Sequence, residues 1–440
     1  MRRPRAAAAL LALLAGCAAN TPAPPAALAA ADVAPRAPQL PARLLASDVE
    51  RIAMTGSPDV LLARAAAARG AGDARLAAQR PNPVATLFPD RVIAGAAQGS
   101  PWTVAAILLF TVLRPGENRE RQAVRAATTE AVRLDVGQAA WRARGLAVTA
   151  FRDAALARRA AALAGEQRAL DAERVAAADR LTRAGAIGQA DRAIVLDAAV
   201  ASANAAALRR SNAARAEAAL AAALGAPRAS LTTTQIDWPD AGAPPEAPLP
   251  DTIADAAVFN RLDVQAALGR WRAAEANYRA VARVAGPLIQ PGPAYTYDKG
   301  THRIGFTLNA ELPIYHRYGA RVGAARSAAD EAREAVNRTM AVAVAAAVGA
   351  RADYAARLAE WRAAAAPLRI AETEAERAER ALDEGSGDRP TLFAARSRVA
   401  AARLARLDAL QRAATAAAAL EDATQRPFWP ATSAVAGAAR

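Results

Sequence analysis

The sequence predicts a mainly α-helical chain with a small β part, in which long helical hairpins carry four strands. Three observations predict it. The chain repeats itself at an offset near 200 residues, two stretches of more than 60 residues are almost free of proline, and one ten-residue stretch alternates strictly between apolar and polar positions. A period this long is a duplicated half-protein and not a solenoid repeat. Each half reads helix, two strands, long helix, tight turn, helix.

The amino terminus comes first. Arg2, Arg3 and Arg5 form a positive region, and Ala6 to Ala15 is an apolar run too short to span a bilayer, the pattern of an export signal. Leu14-Ala15-Gly16-Cys17 then places small residues before the one cysteine of the chain. This resembles a bacterial lipoprotein signal, which implies that residues 1–16 are removed and that Cys17 is lipidated. Ala18 after the cysteine implies transfer to the outer membrane. An acylated Cys17 leaves no thiol for a disulfide or a cysteine metal site. Residues 17–46 are a Pro/Ala-rich tether without apolar periodicity.

The first repeat, residues 47–240, has a helix start at Ser57-Pro58-Asp59, with Ser57 as N-cap and Pro58 at the first helical position. That helix ends before Arg80-Pro81-Asn82-Pro83. Trp102 to Thr111 is apolar on both faces and takes its strand assignment from its place in the repeat. Residues 241–253 are a linker. The second repeat, 254–427, restarts at Asp263-Val264-Gln265 and holds the clearer strands. From Arg303 to Leu312 every even position is apolar and every odd one polar or glycine, long enough for a tilted strand to cross a bilayer. Tyr295 and Tyr297 precede it, and Lys299-Gly300 supplies a turn. The apolar face of this hairpin rests on a protein core or faces lipid, with the tyrosines at an interface belt. Residues 428–440 form a tail.

No proline occurs from Glu117 to Ala184, and only Pro367 interrupts Ala320 to Glu384. At 1.5 Å per residue each stretch reaches roughly 100 Å, with Gly137, Gly145 and Pro367 as candidate bends. Gly185 and Gly385 stop them, and returning helices run from about 189 to 224 and 391 to 424. Aromatics make up only 4% of the chain, too few for a conventional core, whereas alanine suits helices packed backbone to backbone.

The formal charge is +14, of which three arginines leave with the signal. Lys299 is the sole lysine, and the arginines are scattered among acids along helices, so nucleic acid is not expected. Enzyme chemistry finds no footing: there is no cysteine nucleophile, paired histidine, P-loop or Gly-rich dinucleotide turn. Glu372, Glu374, Glu376 and Glu379 alternate with Arg377 and Arg380, which reads as a solvated, charge-paired face. His302 and His316 are the only histidines and read as interfacial or exposed residues, so neither a metal site nor a cofactor is expected. Four strands cannot close a membrane barrel, and open edges are not tolerated in lipid, so an inserting chain must oligomerise.

With Leu14-Ala15-Gly16-Cys17, the two repeats, and the turns Arg183-Ala184-Gly185-Ala186-Ile187-Gly188-Gln189-Ala190-Asp191 and Glu384-Gly385-Ser386-Gly387-Asp388-Arg389-Pro390-Thr391-Leu392 in place, the chain from about 47 to 427 resembles the TolC-like outer-membrane efflux proteins. The resemblance implies a homotrimer pooling twelve strands into an outer-membrane barrel continued by a periplasmic α-barrel. It implies a periplasmic adaptor docking at the tips, and an inner-membrane pump of the resistance-nodulation-division type or another. Glu311-Leu312-Pro313-Ile314 and Gly99-Ser100-Pro101-Trp102-Thr103 look most like the heavy-metal branch, the cobalt-zinc-cadmium type.

The resemblance also distributes roles. Gly185, Ile187, Asp191, Gly385, Asp388 and Arg389 would form the adaptor-docking and gating tips, and Thr307, Asn309 and Glu311 would line the barrel lumen. Asp191 matches an aspartate that helps close the tunnel mouth in the family, or serves only as a helix N-terminal carboxylate. The family's other constricting aspartates align with Thr391 and Ala394, and its arginine with Gly387. The competing expectation is a lipid-anchored periplasmic coiled-coil scaffold without channel activity.

Overall fold

The computed structural model describes residues 38–95, 99–236, 238, 242–286, 288–311, 314–315 and 318–429. Cys17, His316, the Leu312-Pro313 dipeptide and the tail beyond Trp429 lie outside them. Both halves follow the predicted order. The first half runs β1 (Arg43–Leu44), α1 (Ala46–Gly56), α2 (Pro58–Ala77), β2 (Val84–Arg91), β3 (Trp102–Leu109), α3 (Glu117–Arg183), α4 (Gln189–Leu224), α5 (Arg228–Thr232) and β4 (Gln235–Ile236). The second runs α6 (Pro250–Phe259), α7 (Leu262–Val284), β5 (Ile289–Asp298), β6 (Thr301–Ala310), α8 (Gly319–Ala363), α9 (Ala365–Asp383) and α10 (Arg389–Thr424).

The longest helix, α3, holds 67 residues and runs without interruption through Gly137 and Gly145. A Cβ on Gly137 would meet Leu262 Cδ1 at 3.1 Å, so that glycine lets α7 lie close. Pro367 does break its helix. It cannot donate to the carbonyl of Ala363, the residue four before it, and its ring crowds that oxygen; α8 stops at Ala363 and α9 resumes at Ala365.

Alanine dominates the buried positions along α3, α4, α8 and α10, and the large side chains gather in one cluster at the middle of α3 and the C-terminal ends of α4, α8 and α10. There Phe151, Leu156, Leu220, Tyr354, Leu420, Trp238 and Trp429 are all buried. Two ends assigned to flexible segments join this core. Leu44 is fully buried and β1 pairs in parallel with β4, so the tether gives way to structure before residue 46. At the other end Trp429 is 2% exposed and lies 5.5 Å from Trp238 by ring centroids, so the tail begins after it. The linker is held across α8 by Tyr354 Oη donating to the Pro245 carbonyl at 2.5 Å and Arg351 Nε to that of Pro248 at 2.8 Å.

Four buried charges sit beside the tryptophans. Arg144 donates to Glu50 at 2.6 Å and lies 3.6 Å from Glu421, which also takes Arg152 at 3.4 Å and the backbone N–H groups of Phe428 and Trp429 at 3.3 and 3.1 Å. Among the described residues the Arg152 Nε and Nη1 find no hydrogen-bond acceptor; the guanidinium lies 5.6 and 5.5 Å from the Trp238 and Trp429 rings, whose faces attract it instead.

Candidate functional site

Two regions at opposite ends of the helices carry the predicted site residues. The first is an antiparallel sheet of order β2-β3-β5-β6. Asp298-Lys299-Gly300-Thr301 closes the β5–β6 hairpin with positive φ at both central residues, 50° and 100°, which matches the twist of the strands. Pairing then fixes which side chains share a face, because directly opposed residues point the same way. Tyr295 opposes Ile304, Pro293 opposes Phe306 and Pro291 opposes Leu308. Val104 and Ala106 oppose Tyr297 and Tyr295, and Leu87 and Pro89 continue the row in β2. One face is therefore apolar or aromatic throughout, apart from Arg91 and His302 at its far edge.

That face is open. Ile304, Phe306 and Leu308 are 87, 72 and 63% exposed, so the alternative in which the hairpin rests on a core of its own chain fails. The other face is mixed: Thr86, Asp90, Thr103, Gln290, Thr296, Arg303, Thr307 and Asn309 share it with Val84, Phe88, Ala105, Ile107 and Leu109. Asn309 donates to Gln290 at 3.2 Å, and Gln290 to Thr111 at 3.2 Å. Glu311 lies one residue past β6: its N–H bonds the Leu288 carbonyl at 3.0 Å, and its carboxylate takes the Tyr318 hydroxyl at 3.1 Å. It thus sits at the junction of strand and helix, where its N–H bond continues the ladder past Thr307 and Asn309. Among the described residues neither β2 nor β6 has a partner on its outer edge.

The second region is the pair of tips. Gly185 and Gly385 both adopt φ near +70°, a conformation that costs any other residue. In each, the next residue donates back five positions at 2.9 Å, Ala186 to Leu181 and Ser386 to Ala381, so the two turns are the same helix stop 200 residues apart. An ion pair crosses each hairpin nearby: Asp179 with Arg192 at 2.6 Å, and Glu379, its equivalent in the second half, with Arg396, one helical turn further on, at 2.7 Å.

The tip carboxylates are used differently. Gly188 and Asp388 hold the same N-cap position in the two halves, and Asp191 and Thr391 the same position three residues on. In the first tip Asp191 reaches back to the Gly188 N–H at 3.2 Å; in the second Asp388 accepts the Thr391 N–H at 2.9 Å. Each half thus keeps one arm of a capping box. The Thr391 side-chain and backbone bonds hold the Asp388 carboxyl below its ordinary pKa. Ile187 is half-buried, while Asp191 and Arg389 are exposed.

The tips lie at one end of the molecule. Ser397, twelve residues past Gly385, donates to Asp171, fourteen before Gly185, at 2.9 Å in a buried contact. Further up, Arg209 of α4 grips Asp408 of α10 through two bonds at 2.7 and 2.6 Å. The glutamates of α9 pair with the returning helix, Glu372 with Arg403 and Glu374 with Arg398 at 3.2 and 3.3 Å, where the sequence pointed to Arg377 and Arg380 on their own helix.

His302 Nδ1 sits 2.7 Å from the Tyr295 hydroxyl. Among the described residues no group of three or more His, Cys, Asp or Glu is placed to hold a metal ion. No helix among them is long and apolar enough to cross a membrane.

No protein-family model and no curated protein matches the chain. Solved structures do. The outer-membrane channel OprN is 18% identical with a TM-score of 0.71, covering 93% of this chain and 98% of its own. The CmeC outer membrane channel of Campylobacter jejuni is 16% identical at 0.69, covering 87% of this chain and 86% of its own. The MtrE outer membrane channel of Neisseria gonorrhoeae, in its open state, is 16% identical at 0.68, covering 87% and 89%. The chain has the fold of these outer-membrane channels, as its resemblance to the TolC-like proteins led one to expect.

Proposed function

We propose that this chain is the outer-membrane component of a tripartite efflux system, a passive homotrimeric conduit from periplasm to exterior, anchored by lipid at Cys17. The observation that carries the reading is the sheet: one face apolar or aromatic except for Arg91 and His302 at its rim, and uncovered, the other carrying most of the polar side chains, and both edges open among the described residues. In water such a face is a liability, and in lipid it is required. Three copies would join edge to edge into a barrel, with Thr307 and Asn309 on the lumen side and Glu311 at its base.

The tips around Gly185 and Gly385 would meet a periplasmic adaptor, and an inner-membrane pump would supply the energy. Ile187, Asp191, Asp388 and Arg389 are the docking and gating candidates. The cargo class we favour is heavy-metal cations, on the motifs at 99–103 and 311–314; deletion of the gene should then sensitise cells to divalent metals and not to dyes or antibiotics. Membrane extraction tests the conduit itself. A trimer-sized particle that needs detergent even as Cys17→Ser supports it, whereas release of that variant into plain buffer leaves the coiled-coil scaffold as the better account.

A further inference from the structure

We propose that the far rim of the apolar face is a binding surface for a lipid headgroup carrying more than one phosphate. The inference rests on the reading of that face as lipid-exposed. Its starting point is an imbalance between the two ends of the sheet. At the helix end the cations are matched by acids: Arg121 pairs with Glu117 at 2.6 Å, and Arg279 and Arg283 reach Glu120 at 3.3 and 3.5 Å.

At the far end they are not. Arg91 and His302 fall on the apolar face by strand register, and Lys299 sits in the turn between β5 and β6. Among the described residues Arg91 and Lys299 make no ion pair. The nearby carboxylate of Asp298 is committed to the opposite face, where it takes the Thr103 hydroxyl at 3.1 Å and lies 3.8 Å from Arg303. An unmatched cation at the edge of an apolar surface costs desolvation unless an anion meets it there.

Aromatic side chains hold Arg91 and the His302 ring in place. The Arg91 guanidinium lies 5.6 Å from the Trp102 ring, and the His302 ring is 5.3 Å from that of Tyr297 and bonded to Tyr295. Trp and Tyr favour the headgroup level of a bilayer, so Arg91 is held at the depth of lipid phosphates, with Lys299 in the turn at the same end of the sheet. From β2 to β6 the row spans three interstrand steps, about 14 Å. One phosphate cannot touch both ends of it, which selects a headgroup with at least two. The charge is complementary and the acyl chains continue down the same apolar face toward Phe306 and Leu308.

The test uses the full-length protein purified in neutral detergent. It is titrated with bisphosphorylated lipid A, with phosphatidylglycerol, or with inorganic phosphate, and retained lipid is counted by native mass spectrometry. The comparison is the double variant Arg91→Gln, Lys299→Asn, the asparagine chosen because it suits the left-handed φ of residue 299, with circular dichroism and trimer size as folding controls. Wild type should retain lipid A in preference to phosphatidylglycerol, free phosphate should not displace it, and the folded double variant should bind it roughly thirtyfold more weakly.

Equal retention by wild type and folded variant, or displacement by free phosphate, overturns the proposal. A variant that fails to fold is replaced by the single Lys299→Asn, for which a roughly fivefold loss is expected and no loss counts against it. A protein that enters neutral bilayers but shows no lipid preference sinks this inference alone; one that enters none sinks the channel reading beneath it.

Discussion

Replacing Phe306 by arginine separates a membrane sheet from an exposed soluble one. Phe306 opposes Pro293 on the apolar face and is 72% exposed in the protomer. It lies five residues from the start of β6 at Thr301 and four from its end at Ala310. At about 3.3 Å per residue it is roughly 13 to 17 Å along the strand from either end. A tilt near 45° brings that to about 9 to 12 Å of depth, close to the middle of the hydrocarbon. An arginine there costs about 2–4 kcal/mol per protomer. The neighbouring Thr307→Arg points to the polar face and should cost within about 0.5 kcal/mol. Urea titration of folding into phosphatidylcholine vesicles, followed by tryptophan fluorescence, reads both. Equal midpoints for the two variants would refute the assignment of faces, since an exposed position in water gives Phe306 no reason to resist a charge.

Other positions make narrower predictions. Glu421→Ala strips the buried Arg144 and Arg152 of a shared acid and should cost about 3–5 kcal/mol, visible as a lower helical melting temperature; an unchanged melt would contradict the cluster's role. Gly292→Ala would set a Cβ 1.8 Å from the Leu108 carbonyl oxygen, whereas Gly305→Ala meets nothing within 4 Å. The first should abolish assembly of heat-resistant oligomers on a gel and the second should leave it intact. Asp388→Ala removes an N-cap bond and should speed hydrogen exchange at Thr391, at a cost of roughly 1 kcal/mol to that helix end. Because the Asp388 carboxyl is held below its ordinary pKa of 3.8, the wild-type cap is fully present above that pH. It is lost as pH falls through the lower folded value, so wild-type and variant exchange should converge only in that acid range.

What the sequence disclosed and what it hid divide along physical lines. Period-two alternation in β6, the Lys299-Gly300 turn and the glycines at 185 and 385 are local signals, and each set the local structure it pointed to. Strand β3 is apolar on both sides, so its faces became readable only when pairing with β5 tied Val104 and Ala106 to the tyrosines. The charge cluster was invisible for another reason. Glu50, Arg144, Arg152 and Glu421 come from three separate helices, and each alone looks like one more charge on an Ala-rich helix. Two of the six tryptophans, Trp238 and Trp429, were the available hint: in so aromatic-poor a chain, residues that large need a core, and both proved buried. The tip carboxylates show a third case. Asp191 and Asp388 occupy different positions in their turns, and only the bonds to Gly188 and Thr391 reveal that they share out one capping motif between two copies.

The most direct measurement is planar-bilayer recording of the purified, detergent-solubilised protein. Discrete, long-lived conductance steps, carried by a particle of three chains and absent for Phe306→Arg, are the result this account predicts. A silent bilayer, with a protein that stays monodisperse in buffer once detergent is removed, would contradict it.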